Sequence, residues 1–298
     1  MNSTLRFSAI DIGSNAIRLL FSRVIEKDNE SPFFVKESLI RMPLRLGFDA
    51  FTTSAISEKN CDKFLSTLSG FKYLIEAYQP IDYRACATAA IRNAKNGLIL
   101  VERVKDQTGI KIDIINGQEE AAMILSRNIS QYIKNNKNYI HIDVGGGSTE
   151  LTIIKNGKKQ ISRSFPIGSV RLLEGKVKKS FWDDMKSWMS SSTKGIESIT
   201  AIGSGGNINK IASMEKKDKG KSIKYGHIKK LIKSISTKSL QERITTLGLR
   251  PDRADVIIHA SKIYLRCMKW SGAEKIIVPQ SGLADGIVGQ LYNKYRRL

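Results

Sequence analysis

The feature that most constrains the fold is a segment that occurs twice. Phe7-Ser8-Ala9-Ile10 runs into Asp11-Ile12-Gly13-Ser14-Asn15 and then Ala16-Ile17-Arg18-Leu19-Leu20. Tyr139-Ile140-His141-Ile142 runs into Asp143-Val144-Gly145-Gly146-Gly147-Ser148-Thr149-Glu150 and then Leu151-Thr152-Ile153-Ile154. Each copy reads as a strand, a tight glycine turn with an aspartate at its mouth, and a second strand, which makes a β-hairpin. A third glycine turn, Gly203-Ser204-Gly205-Gly206-Asn207, follows a strand-like run at 199–202 and opens a helix at 208–213. Helical periodicity marks 57–78, 89–108, 118–133, 227–234 and 254–270. Strands alternating with helices make the class α/β. The duplicated hairpin predicts two related lobes, 1–128 and 129–298, with a polar run at 134–138 near their junction and an exposed lysine-rich loop at 215–224.

Glycine runs let backbone N–H groups converge where side chains are missing, which suits a phosphate. The second hairpin adds a hydroxyl, Ser148, and two carboxylates, Asp143 and Glu150, able to hold a hard cation such as Mg²⁺. The alternative is that Gly145, Gly146 and Gly147 only make a tight turn; two matched loops and a third weigh against it. No G-x-x-x-x-G-K-[ST] loop is present, and no G-x-G-x-x-G follows a strand into a helix. His141, His227 and His259 lack zinc-ligand spacing and are expected to be structural.

Asn116-Gly117-Gln118-Glu119-Glu120-Ala121 opens a helix with Asn116 as a natural N-cap. Glu119 then falls at the third helical position, where a capping box explains it. Glu120 lies one residue past that box. From these residues alone two readings stand: a favourable interaction with the helix dipole, or a carboxylate that orients or deprotonates a water.

Charge is distributed unevenly. Through Asn128 the chain holds 17 basic and 15 acidic residues, and beyond it 32 and 13. Such asymmetry favours a polyanionic partner, although a basic surface kept for solubility gives the same count. Nucleic acid is disfavoured, because the basic segments 155–179 and 210–238 lack interleaved aromatic residues for base stacking. No apolar stretch approaches the roughly 20 residues that span a bilayer, so no membrane partner is expected. Cys61, Cys86 and Cys267 are far apart, odd in number and expected to be free thiols. With no signal-peptide pattern at the N-terminus, a cytoplasmic location is expected.

Eight pieces in order resemble the exopolyphosphatase/guanosine pentaphosphate phosphohydrolase (Ppx/GppA) family of the actin–Hsp70–sugar kinase (ASKHA) superfamily. They are the first hairpin from Ala9, Ala87-Thr88-Ala89-Ala90-Ile91-Arg92, the segment Asn116 to Ala121, the second hairpin to Leu151, Phe165-Pro166-Ile167-Gly168-Ser169-Val170-Arg171-Leu172, Gly203 to Gly206, Arg253-Ala254-Asp255, and Ser281-Gly282-Leu283-Ala284-Asp285-Gly286-Ile287. The resemblance implies two actin-like, ribonuclease H-like lobes with a cleft between them. It implies that Glu120 is catalytic and activates the lytic water. Asp143 and Glu150 match the family's metal positions, for Mg²⁺ or Mn²⁺. Gly145, Gly146, Gly147, Ser148, Gly205 and Gly206, with Asp11, Ser14, Asn15 and Arg92, match phosphate-binding positions.

Two departures bear on function. The chain ends at Leu298 without the HD-type segment of long members, so it resembles the short two-lobed form. Asn207 stands where the family commonly has threonine. The implied activity is exopolyphosphatase: hydrolysis of the terminal phosphoanhydride of inorganic polyphosphate. Alternatives are guanosine pentaphosphate as substrate, a non-catalytic sensor of polyphosphate or guanosine alarmones, and an actin-like ATPase or sugar kinase. The superfamily fold leaves a homodimer open.

Overall fold

The computed structural model describes residues 4–27, 30–125 and 129–297. It divides into two compact units, Met1–Asn116 with Leu283–Leu298, and Gly117–Gly282.

In the first unit β1 (Thr4–Ile12), β2 (Ile17–Ile25) and β3 (Phe33–Met42) form an antiparallel meander. Strands β4 (Asp82–Ala87) and β5 (Ile112–Ile114) extend it in parallel, giving the order β3-β2-β1-β4-β5. β1 is central, and residues 7–12 are buried without alternation, as a strand covered on both faces requires. Helix Glu58–Tyr78 returns the chain for a parallel pairing, burying Phe64 and Leu68.

In the second unit β6 (Asn138–Val144), β7 (Thr149–Lys155) and β8 (Lys158–Phe165) repeat the meander. β9 (Ile199–Ser204) pairs in parallel with β6, and β11 (Lys275–Ile277) in parallel with β9. β10 (Ser222–Lys224) adds an antiparallel edge, so the order is β10-β11-β9-β6-β7-β8. Apart from that edge strand the two units share one topology, the actin-like α/β lobe expected from the duplicated hairpin. Ile140, Ile142, Leu151, Met185, Ile208 and Ile263 are part of the second core.

The unit boundaries differ from the expected 1–128 and 129–298. Helix Gly117–Leu125 packs on β7 and β8, which carries Glu120 into the second unit. The expected junction at Asn128 lies outside the described residues. The C-terminal helix Leu283–Tyr295 packs on β1, β2 and β4 of the first unit. Tyr292 stands edge-on to Phe7 and Phe34 there, and its hydroxyl donates to Glu26 at 2.5 Å.

Three helices also differ from expectation. The periodicity over 89–108 resolves into Ala89–Asn93 and Gly97–Thr108. Between them, Asn96 uses its side chain to accept from Ile56 N and donate to Ile56 O, both at 2.8 Å, and so pins a non-helical turn. The helix expected at 118–133 ends its described span at Leu125, followed by a 3-10 turn at Ser130–Tyr132. The one expected at 254–270 splits into Pro251–Ala254 and Ile257–Ser271. Cys61, Cys86 and Cys267 are buried. Among the described residues no helix is long and apolar enough to cross a membrane.

Two helical glycines make the packing testable. A methyl at Gly97 would meet the backbone oxygen of Ile91 at 2.1 Å, whereas one at Gly70 would meet nothing within 4 Å. Gly97→Ala is expected to lower unfolding stability by about 1–3 kcal/mol through overpacking. Gly70→Ala is expected to raise it by about 0.5–1 kcal/mol. Urea unfolding midpoints check both signs.

Candidate active site

The site is built where β6 ends and β7 begins. The antiparallel register sets Asp143 directly opposite Glu150. Like charges so placed destabilise a sheet, and here both are buried. Glu120, on the first turn of helix Gly117–Leu125, brings a third buried carboxylate. One oxygen from each of the three lies within 4.8 Å of the others. At an effective dielectric of about 20, unit charges at such a separation repel by on the order of 3 kcal/mol per pair. The helix N-terminus offsets part of this cost for Glu120. Helix and sheet approach closely because residue 117 is glycine: a methyl there would stand 2.5 Å from Ser164 Cβ and 3.3 Å from Glu150 Oε1. Glu119 is exposed, so the two adjacent glutamates differ in surroundings as well as in helical position.

Hydroxyls hold the carboxylates. Ser148 Oγ donates to Glu150 Oε1 at 2.7 Å and Ser164 Oγ to the same oxygen at 2.9 Å. Ser204 Oγ donates to Asp143 Oδ1 at 2.8 Å, and His141 Nε2 lies 2.8 Å from Ser204 Oγ. Burial holds His141 neutral, its pKa pushed down to about 3. Tyr264, from helix Ile257–Ser271, donates its hydroxyl to Ser204 O and accepts from Val144 N at 3.3 Å. Burial first, and the Asp143 charge second, hold the Tyr264 pKa well above its ordinary value, so the phenol stays protonated.

The glycine loop beside this cluster is oriented from behind. Gly145 O accepts from Ser169 N, Gly146 O from Val170 N and Arg171 N, and Gly147 O from Arg171 Nε. All three carbonyls thus face the segment 169–171. Across a trans peptide the next N–H points the opposite way, and the peptide bonds among the described residues are trans. The amides of Gly146, Gly147 and Ser148 are therefore turned together away from that segment, the arrangement of an anion-binding nest. Gly168 permits the close approach, since a methyl there would lie 2.3 Å from Gly146 O. Gly205, with φ 111, packs where a methyl would stand 3.3 Å from Asp143 Oδ1. Helix Gly206–Met214 begins immediately after it.

The first unit holds Asp11, Ser14, Asn15 and Arg92. Ser14 O accepts from Gly47 N and Asn15 O from Arg45 N, which turns the loop as 169–171 turns its counterpart. Arg92 donates to Ile115 O at 2.6 Å. Its hairpin has diverged chemically, because the residue opposite Asp11 is Arg18, ion-paired with it at 2.5 Å. A carboxylate matched with arginine has no use for a divalent cation, whereas Asp143 opposite Glu150 gains from one. The all-oxygen, buried carboxylate set of the second unit suits a hard divalent ion, Mg²⁺ or Mn²⁺.

Sequence reasoning missed Arg18, although both hairpins place the aspartate and its cross-strand partner seven positions apart. It also gave no site role to Ser204, which stands in the quoted third glycine turn, or to His141. In the fold the third turn is shorter than expected: Gly203 and Ser204 belong to β9 and the helix starts at Gly206. Ser164 had no local signal, since only the β7–β8 register brings it opposite Glu150.

Comparison with known proteins gives the same architecture. A bifunctional 3-dehydroquinate synthase/phosphatase of Fusobacterium nucleatum is 30% identical over 97% of this chain and 46% of its own length. Exopolyphosphatase 1 of Mycobacterium tuberculosis is 26% identical over 56% of this chain and 48% of its own length. The chain thus spans about half the length of these curated relatives. The crystal structure of the Ppx/GppA family member of Aquifex aeolicus superposes with a TM-score of 0.77 at 27% identity, covering 98% of this chain and 99% of that one. The profile of the Ppx/GppA phosphatase family matches residues 24–295, nearly the whole sequence, and the chain belongs to that family.

Proposed function

We propose that this chain is an exopolyphosphatase that removes the terminal phosphate of inorganic polyphosphate and releases orthophosphate. The observation that carries this is a buried carboxylate at a helix N-terminus, Glu120, grouped with Asp143 and Glu150 beside an amide-lined glycine loop. In this scheme the amides of Gly146, Gly147 and Ser148 bind oxygens of the terminal phosphate, with Gly145, Gly205 and Gly206 giving the backbone access. Glu120 orients a water and takes its proton as the water oxygen bonds to the terminal phosphorus. The bridging P–O bond breaks, and its oxygen leaves on the shortened chain. When bound, Mg²⁺ or Mn²⁺ held by Asp143 and Glu150 would supply neutralisation of phosphate charge. Asp11, Ser14, Asn15 and Arg92 are proposed to bind phosphate groups in the first unit. There Arg18 supplies the cation that a carboxylate alone lacks. The 32 basic residues against 13 acidic beyond Asn128 favour a long polyanion over a nucleotide. The chemistry and absence of a membrane-spanning pattern fit action in the cytoplasm.

With Mg²⁺ and long polyphosphate, Glu120→Gln is expected to reduce phosphate release by roughly 10²–10⁴-fold, the usual worth of a general base. Polyphosphate binding should persist in that variant. Faster release from guanosine pentaphosphate than from polyphosphate by the wild type would transfer the assignment to that substrate. Release from neither, with binding intact, would make the protein a sensor. Raising salt is expected to weaken polyphosphate binding steeply, because released counterions drive association with a polyanion; a flat salt titration would count against the chain reading.

Thermal unfolding tests the cation. Mg²⁺ at 100 times its Kd is expected to stabilise the wild type by about 2.7 kcal/mol. Glu150→Gln should raise the melting temperature without metal, by relieving repulsion, and shrink the metal-induced rise. A metal response unchanged in that variant would remove Glu150 from the cation site.

A further inference from the structure

His141, Ser204 and Asp143 form a series of polar groups on one face of the second unit's sheet. His141 and Asp143 are two residues apart on β6 and so project to the same face. Ser204 is the parallel partner of Asp143 on β9. His141 and Ser204 are fully buried. The direction of the bonds follows from counting protons. The single Ser204 hydroxyl proton goes to Asp143 Oδ1, so the hydroxyl oxygen can only accept from His141. The imidazole is then the Nε2–H tautomer, with Nδ1 the lone-pair nitrogen, and Nδ1 meets no hydrogen-bond partner among the described residues. The backbone of Ser204 is held separately, its carbonyl accepting from Tyr264. The middle of the series is thus fixed: Ser204 Oγ stands between His141 Nε2 and Asp143 Oδ1, and the Ser204 carbonyl is held by Tyr264.

We propose that His141 and Ser204 are positioning residues whose serial hydrogen bonds lock the Asp143 carboxylate in the orientation that groups it with Glu120 and Glu150, and thereby set the site's affinity for a divalent cation. The reasoning is general: outer hydrogen bonds orient a ligand carboxylate before the cation arrives, and losing one typically costs 10–100-fold in metal affinity. Burial of a polar imidazole costs free energy, so burial alone gives no reason for a histidine there. A buried histidine with one nitrogen lacking a partner calls for an explanation, and the bond from its other nitrogen to Ser204 supplies one. This inference rests on Asp143 and Glu150 holding a cation, and its test separates the two.

The probe is Mn²⁺, with free ion read by electron paramagnetic resonance on the whole chain without substrate. The wild type should bind Mn²⁺; no binding would overturn the cation assignment itself and the inference with it. Ser204→Ala is expected to weaken the Kd by 10–100-fold, and His141→Leu by several-fold. The double variant should be no weaker than Ser204→Ala alone, because the histidine acts only through the hydroxyl. His141→Gln, which keeps an N–H donor, should recover part of the loss. Ser162→Ala, which removes a hydroxyl contact with Thr152 in the same unit, should leave the Kd unchanged. A wild-type Kd in Ser204→Ala, or strictly additive losses in the double variant, would overturn the proposal while leaving the cation assignment standing.

Discussion

Three carboxylates buried within 4.8 Å of one another are the constraint around which the second unit is organised. Left to themselves they oppose folding, because burial removes water and proximity adds repulsion. The surrounding structure answers with donors: Ser148 and Ser164 on Glu150, Ser204 on Asp143, and a helix N-terminus under Glu120. The remaining repulsion is what a divalent ion would relieve. A site of this kind stores its affinity in the folded chain before any ligand arrives.

The same architecture carries a different charge arrangement in the first unit. Both units turn the glycine hairpin from behind, through backbone donors at 45 and 47 in one and at 169–171 in the other. That shared brace is a property of the fold. The difference lies in one cross-strand position, Arg18 in the first hairpin and Glu150 in the second. At that position one unit sets a cationic side chain opposite its aspartate and the other an acidic one.

The fold was legible because its strongest signals are local. The duplicated hairpin, the α/β alternation and the third glycine turn all reappear in the sheets. Helix ends were less legible: the break at 94–96 depends on Asn96 gripping Ile56, a contact forty positions away in sequence that periodicity cannot register. The two compact units cut across sequence order for a similar reason. Helix Gly117–Leu125 follows the first unit in sequence but packs on β7 and β8, and the C-terminal helix returns to β1. Within the site, Glu120 could be distinguished from Glu119 by helical position alone. Ser164 and the His141–Ser204 series could not, since each is assembled by strand register.

The most direct measurement is the destination of the water oxygen. Polyphosphate would be hydrolysed by the wild-type chain with Mg²⁺ in ¹⁸O-labelled water, and the released orthophosphate read by mass spectrometry. Attack on the terminal phosphorus predicts one ¹⁸O in each orthophosphate released in the first turnover and none at the new chain end. Label at the chain end, or release of unlabelled phosphate, would contradict the account, because the reacting water would then not be where Glu120 can direct it.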